Sequence, residues 1–285
     1  MVVPVTNIVE KDFDPQSTKD LNLSLLIGPD RLSYLVIEPN SQKLLALSAY
    51  SLDNKNSSTT LVKNIEELFK KDSLLSKTYD QVSINLYTRR FTIIPNALFE
   101  LSQTKLLFET AMHIDNNDNL QVGAIDKIDS TVIYSIDKEL DDLLQARFPT
   151  ASRNSAAGPI IQNALANFEQ EEFVVIALLQ AGSICLTVLH KGQLLLHQVF
   201  GFRNAEDCLY YVLLAYKNLG LSTEKHPIFL AGELIQESEI YKLLYQYFRQ
   251  ISFVKRNEGI KYGTEALRLP NHFYFDLFSI AVANR

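Results

Sequence analysis

Apolar and polar positions fall into a layout that occurs twice. Residues 21–52, LNLSLLIGPDRLSYLVIEPNSQKLLALSAYSL, hold three short apolar runs broken at Gly28-Pro29-Asp30 and Pro39-Asn40-Ser41. Residues 173–200, FVVIALLQAGSICLTVLHKGQLLLHQVF, hold three more, broken at Ala181-Gly182-Ser183 and Lys191-Gly192. Short apolar runs bounded by turn residues predict strands, and tight breaks between them predict meanders. The two meanders start about 150 residues apart.

The segments that follow also correspond. After the first meander, TTLVKNIEELFKK puts Leu61, Ile65, Leu68 and Phe69 at helical spacing. After the second comes NAEDCLYYVLLAYKNLG. Asn204 suits its N-cap, Glu206 and Asp207 its first turn, and Gly220 its stop. Strands are predicted next in both halves, QVSINLY at 81–87 and PIFLAG at 227–232. Helices then follow over residues 96–112 and 237–249, the second carrying Ile240, Leu243, Leu244, Tyr247 and Phe248 on one face. ISFV at 251–254 reads as one more strand. Each half is thus β-β-β-α-β-α.

The first half carries additional material. Arg89-Arg90 is expected to turn a hairpin into FTIIP, and QVGAI and STVIYSI, within residues 120–136, predict two further strands. Asp137 is placed to cap the helix KELDDLLQARF. Residues 154–168 read as a helix leading into the second half, and FDLFSIAVAN as a closing helix. The expected organisation is a lead-in over 1–20, a first domain over 21–168 with an insertion near 88–150, and a second domain over 169–285.

Composition agrees: 285 residues set a prior of two domains at ~150 residues each. A chain 47% hydrophobic and 21% charged is not disordered. The net charge of −6 lacks the basic field that nucleic acid or an anionic membrane would require, so neither is an expected partner. Basic runs stop at the pairs Lys70-Lys71, Arg89-Arg90 and Lys255-Arg256. Two cysteines, Cys185 and Cys208, exclude a disulfide framework and a CxxC metal site. Both lie in apolar segments, as buried free thiols of a reducing compartment do. With no export signal and no apolar stretch of transmembrane length, the expected location is the cytoplasm.

A duplicated β-β-β-α-β-α unit in a chain of this size resembles the actin-like ATPase superfamily, which includes actin, sugar kinases, heat-shock chaperones and pilus-assembly ATPase-like proteins. The resemblance implies an α/β, two-domain actin-like (ribonuclease H-like) ATPase fold. More narrowly, FTIIPNALF at 91–99 and LPNHFYFDLF at 269–278 resemble an uncharacterised bacterial family of that fold without an assigned function.

The superfamily binds ATP with Mg²⁺ between its domains. It uses a D-x-G phosphate loop on the first hairpin of each domain and a hydrophobic-x-G-G motif near the adenosine. Glycines admit backbone N–H groups to the phosphates, and aspartates hold the metal and orient water. Here the first loop falls on Leu26-Ile27-Gly28, the second on Leu178 through Cys185, and the adenosine motif on Leu230-Ala231-Gly232-Glu233. The residues left from a nucleotide cleft are therefore Gly28, Gly182, Ser183 and Gly232. The aspartate positions hold Leu26, Leu178 and Cys185, and Arg31 is the one cation nearby. Without metal carboxylates, phosphoryl transfer loses its main electrostatic support, which argues against Mg-ATP as a working cofactor. The reading that follows is a catalytically degenerate actin-like protein that binds another protein, of unknown identity, or assembles with itself. The alternative is an ATP-binding kinase-like phosphotransferase or ATPase with a displaced metal site at Asp30 and Glu233.

Other chemistry is weaker. No GxG, P-loop, HExxH or G-x-S-x-G occurs, and Ser183 lacks a nucleophile elbow. His190 and His197 flank the Lys191-Gly192 turn and are expected near each other, without further metal ligands. His272 is expected at an end of the last helix. DNNDN at 115–119 resembles a calcium loop, but Leu120 replaces its glycine and Asp126 stands at the twelfth position, so a polar connector is expected. The acidic cluster Asp137, Glu139, Asp141 and Asp142 is read as favouring a helix N-terminus. Tyr241 and Tyr245, four apart, offer either a partner surface or a semi-buried helix face.

Overall fold

Two strand meanders, each followed by a helix and a strand parallel to the meander's first strand, organise the chain. The structure, a computed structural model, describes residues 2–52 and 58–283. The strands and helices run β1 (Val2–Val9), β2 (Asn22–Ile27), β3 (Arg31–Glu38), β4 (Lys43–Leu52), α1 (Ser58–Lys71), β5 (Gln81–Leu86), β6 (Phe91–Pro95), α2 (Thr104–Glu109), β7 (Asp118–Ile125), β8 (Ser130–Asp137), α3 (Lys138–Arg147) and β9 (Ser152–Ser155). They continue with α4 (Ala157–Asn167), β10 (Phe173–Gln180), β11 (Ser183–His190), β12 (Gln193–Gly201), α5 (Ala205–Asn218), β13 (Ile228–Gly232), α6 (Glu239–Tyr247), β14 (Ile251–Phe253) and α7 (Phe275–Ala283). Unit 1 comprises Met1–Gly158, Glu258–Arg268 and Ile280–Arg285, and unit 2 comprises Pro159–Asn257 and Leu269–Ser279.

The sheet of unit 1 has the order β1-β4-β3-β2-β5-β9, and that of unit 2 β12-β11-β10-β13-β14. With β1 set aside, the two orders are the same. In each, the third, second and first meander strands are antiparallel neighbours, and two parallel strands follow on the far side of the first. This is the duplicated unit of an α/β actin-like fold. The central strands β2, β3, β10 and β11 are buried along nearly their whole length, because both sheet faces are covered. In unit 2, Val175, Ala177, Leu179, Ile184, Leu186 and Val188 form one face, packed with Cys208, Val212 and Tyr216 of α5 and Leu244 of α6. The caps are local. Asp137 accepts from the Glu139 and Leu140 amides, Asn204 from Asp207, and Ser238 from Tyr241.

A partly buried polar knot ties the end of α1 to the meander of unit 1. The hydroxyls of Tyr34 and Tyr50 both donate to Asp72 Oδ2 at 2.7 Å, and Asp72 Oδ1 accepts from the Leu74 amide at 3.0 Å.

The structure departs from the sequence expectation at two places. Residues 96–112 are not one helix. They break into 3₁₀ turns at Asn96–Leu98 and Leu101–Gln103 and the short α2. Leu98, Leu101 and Leu106 are exposed and Phe108 is buried, so the segment has no continuous stripe to bury. The helix between the two parallel strands of unit 1 is instead α3. Nor do β5 and β6 form a hairpin at Arg89-Arg90. Both edges of β5 are already taken, by β2 and β9, so β6 pairs with β8 in a separate three-stranded sheet ordered β6-β8-β7. Among the described residues, no helix is long and apolar enough to cross a membrane.

Candidate functional site

In open α/β sheets, ligands meet the carboxyl ends of parallel strands. In unit 1 those ends are Ile27 of β2 and Leu86 of β5, directly paired. Gly28 is buried at the turn, where its N–H donates to the Arg31 carbonyl at 2.9 Å. Its backbone φ is ordinary, and an added Cβ would meet the Arg31 side chain at 3.2 Å. Asp30 is half-buried. Burial pushes its carboxyl above the usual range, and the charges of Arg31 and then Arg89 pull it back. Arg31, the cation nearest this loop in the sequence, is turned inward. It is buried, and its guanidinium donates to Ser33 Oγ at 3.3 Å. Beside this turn lies a pocket of about 250 Å³, with Ile27, Leu61, Leu86, Ile136 and Leu140 among its apolar walls and Arg89 and Arg90 on its rim. Sequence reasoning missed it, because its walls come from strands and helices separated by more than a hundred residues.

In unit 2 the corresponding ends are Gln180 and Gly232. Gly182 is exposed at the hairpin turn with φ +71°, its carbonyl accepting from Phe202 N–H at 3.0 Å. Ser183 is half-buried at the start of β11. Gln180, 5% exposed, donates through Nε2 to the buried Asp276, while its Oε1 finds no partner among the described residues. Gly232, at φ +88°, leaves no room for a side chain: a Cβ there would lie 1.9 Å from the Leu179 carbonyl oxygen. Packing alone therefore demands glycine. The segment LPNHFYFD holds this end of the sheet. The His272 carbonyl accepts from Gly232 N–H at 2.9 Å, and the His272 ring nitrogen Nε2 lies 2.7 Å from the Leu234 carbonyl. His272 thus precedes α7 in a clamping loop, stacked on Phe253 at 3.9 Å. Glu233 is exposed.

The remaining candidates separate in space. His197 lies across from Thr187, with Thr187 Oγ1 and His197 Nδ1 2.9 Å apart and Cys185 Sγ 3.7 Å from Nε2. Burial pulls His197 down to about 3 and pushes the Cys185 thiol up to about 12. Both are neutral at neutral pH, so the pair is not a thiolate–imidazolium nucleophile. His190, three residues beyond Thr187, points to the opposite face and stacks on Phe173 at 4.1 Å. The two histidines are not brought together. Asp115 and Asp118 of the DNNDN segment are drawn to Arg90, which reaches Asp118 Oδ1 at 2.9 Å and Asp115 Oδ2 at 3.0 Å. Asp141 of the acidic cluster pairs with Arg153 at 3.0 Å. Tyr241 is half-buried and stacks between exposed Tyr245 and Phe253.

A magnesium ion needs oxygen ligands. Leu26 and Leu178 are 0% and 1% exposed, and Cys185 is a buried thiol, so the three hairpin positions do not fit the metal that the fold's ATP chemistry uses.

The fold recurs in solved structures. A Bacteroides thetaiotaomicron VPI-5482 protein with actin-like ATPase fold and unknown function matches at TM-score 0.81 and 24% identity, over 95% of this chain and 98% of that one. A chain of the PilM–PilN type IV pilus biogenesis complex matches at TM-score 0.61 and 14% identity, over 92% and 98%. Ethanolamine utilization protein EutJ from Carboxydothermus hydrogenoformans matches at 0.50 and 9%, over 96% and 92%. No curated protein matches in sequence. The family described as "Protein of unknown function (DUF3822)" matches residues 10–251, most of the length. With its paired sheets and these likenesses, the chain belongs to the DUF3822 family and has an actin-like ATPase fold.

Proposed function

We propose that this protein is an actin-like chain that does not hydrolyse ATP and works in the cytoplasm by binding another protein. The observation that carries this reading is the chemistry of the hairpin ends. Buried Leu26, Leu178 and Cys185 stand where the resembled superfamily keeps metal carboxylates. Replacing them leaves the charge of a triphosphate without its counter-ion. An apolar pocket at the carboxyl edge of unit 1 supports a binding role, and a protein of this fold working within a two-protein complex, PilM–PilN, is in keeping with it.

Melting temperature with Mg-ATP, with Mg-ADP and without nucleotide, paired with a phosphate-release assay, tests the proposal. A nucleotide at 100 times its Kd stabilises by about 2.7 kcal/mol, which at ~2–4 °C per kcal/mol is a shift of several degrees. The expected outcome is no magnesium-dependent shift at millimolar nucleotide and no phosphate release. A magnesium-dependent shift with release of phosphate would overturn the reading and move Asp30 and Glu233 to the front as ligands of a displaced metal.

A further inference from the structure

The pocket of unit 1 has walls, a size and a charge that together define an occupant. Ile27, Leu61, Leu86, Ile136 and Leu140 line it and are each less than a tenth exposed, so its interior is apolar. At about 250 Å³ it falls below the ~300–1,000 Å³ of sites for drug-sized ligands and cofactors. It is the scale of an anchoring side chain rather than of a nucleotide.

Most of the polar groups around it are already committed. Arg90 is held by Asp115 and Asp118. Asp137 accepts from the Glu139 and Leu140 amides through Oδ1 and from Asn117 Nδ2 through Oδ2. Arg89 differs: it lines the pocket, is exposed, and makes no hydrogen bond or ion pair among the described residues, its charge reaching Asp30 only through space. An apolar cavity beside an uncommitted guanidinium complements an apolar group next to a carboxylate. β6, which the chain enters directly after Arg90, has one strand neighbour, β8, so its sheet ends there.

We propose that this pocket seats a large apolar side chain from an acidic peptide segment of a partner protein, with a flanking Asp or Glu pairing to Arg89. The inference rests on the protein-binding role argued above and names where and what it binds.

A phage-displayed random peptide library panned on the full chain, followed by fluorescence polarisation with the enriched peptides, tests it. The expected consensus is a Leu, Ile, Met or Phe beside an Asp or Glu. Arg89→Glu, a change at an exposed position, should weaken those peptides at least about tenfold. Thr88→Trp, at a second lining position, should do the same by filling the space. Both variants should melt near the natural protein. Peptides that bind Arg89→Glu and Thr88→Trp as tightly as the natural chain would overturn the assignment, as would enrichment without an apolar–acidic consensus. So would a dimer, seen by sedimentation, that Arg89→Glu dissociates, because the occupant would then be a second copy. The nucleotide experiment reads the underlying function separately. Loss of the pocket assignment with no magnesium-nucleotide response leaves that function standing, and phosphate release removes it whatever the peptides do.

Discussion

Alanine at position 232 sets a methyl group against a backbone that cannot step aside. The Cβ would lie 1.9 Å from the Leu179 carbonyl oxygen, and Leu179 is the strand partner of Gly232 between β10 and β13. Relief requires the parallel pairing to open at its carboxyl end. That releases two hydrogen bonds, Gly232 N–H to the His272 carbonyl at 2.9 Å and Glu233 N–H to the Leu179 carbonyl at 3.2 Å. Each is worth ~1 kcal/mol net. The positive φ adds ~1–2 kcal/mol for any residue with a Cβ. Gly232→Ala should therefore destabilise unit 2 by about 3–4 kcal/mol, by summing these contributions. Gly192→Ala is the matched control. Its φ, +74°, is similar, and a Cβ there meets nothing within 4 Å, so only the backbone contribution applies. At ~2–4 °C per kcal/mol the two variants should melt about 4–8 °C apart. Circular dichroism melts of both beside the natural chain read the difference. If the two variants melt together, the close approach of Gly232 to β10 is not what demands glycine, and the account of this turn fails.

Asp72→Ala removes one carboxylate that accepts from both Tyr34 and Tyr50, and leaves a buried and a half-buried hydroxyl to find new partners. A loss of about 3 kcal/mol, read by urea titration, is expected, with the separate Tyr34→Phe and Tyr50→Phe variants each losing less. His197 gives a pH dependence. It titrates near 6.5 when unfolded and is lowered to about 3 in the fold by burial, so the unfolded chain binds the extra proton. Its contribution is fully present above pH 6.5 and declines as pH falls toward 3, at up to about 1.4 kcal/mol per unit. Melting curves across that range should be flatter for His197→Gln than for the natural chain, and equal slopes would refute the assignment.

Features that depend on residues a few positions apart were legible in the chain itself. The two meanders, the apolar faces of α1 and α5, and the caps at Asp137 and Asn204 follow from turn residues and local periodicity, and all stand in the structure. The residue types at the hairpin positions, Leu26, Leu178 and Cys185, can likewise be read without coordinates. Gly28 and Gly182 were legible as turn residues and Gly232 as part of the motif after a strand, but the packing reason for Gly232 was not. It lies in a carbonyl 53 positions earlier in the chain, brought against it by strand pairing. Tertiary structure also decided that β6 leaves the main sheet, because pairing by β2 and β9 fills both edges of β5. It turned Arg31 inward, set His197 against Cys185 rather than His190, and left Arg89 uncommitted beside an apolar pocket. Each of these outcomes depends on which distant strand occupies which edge and on what that pairing removes from water. Local periodicity carries the faces of each element but not their neighbours.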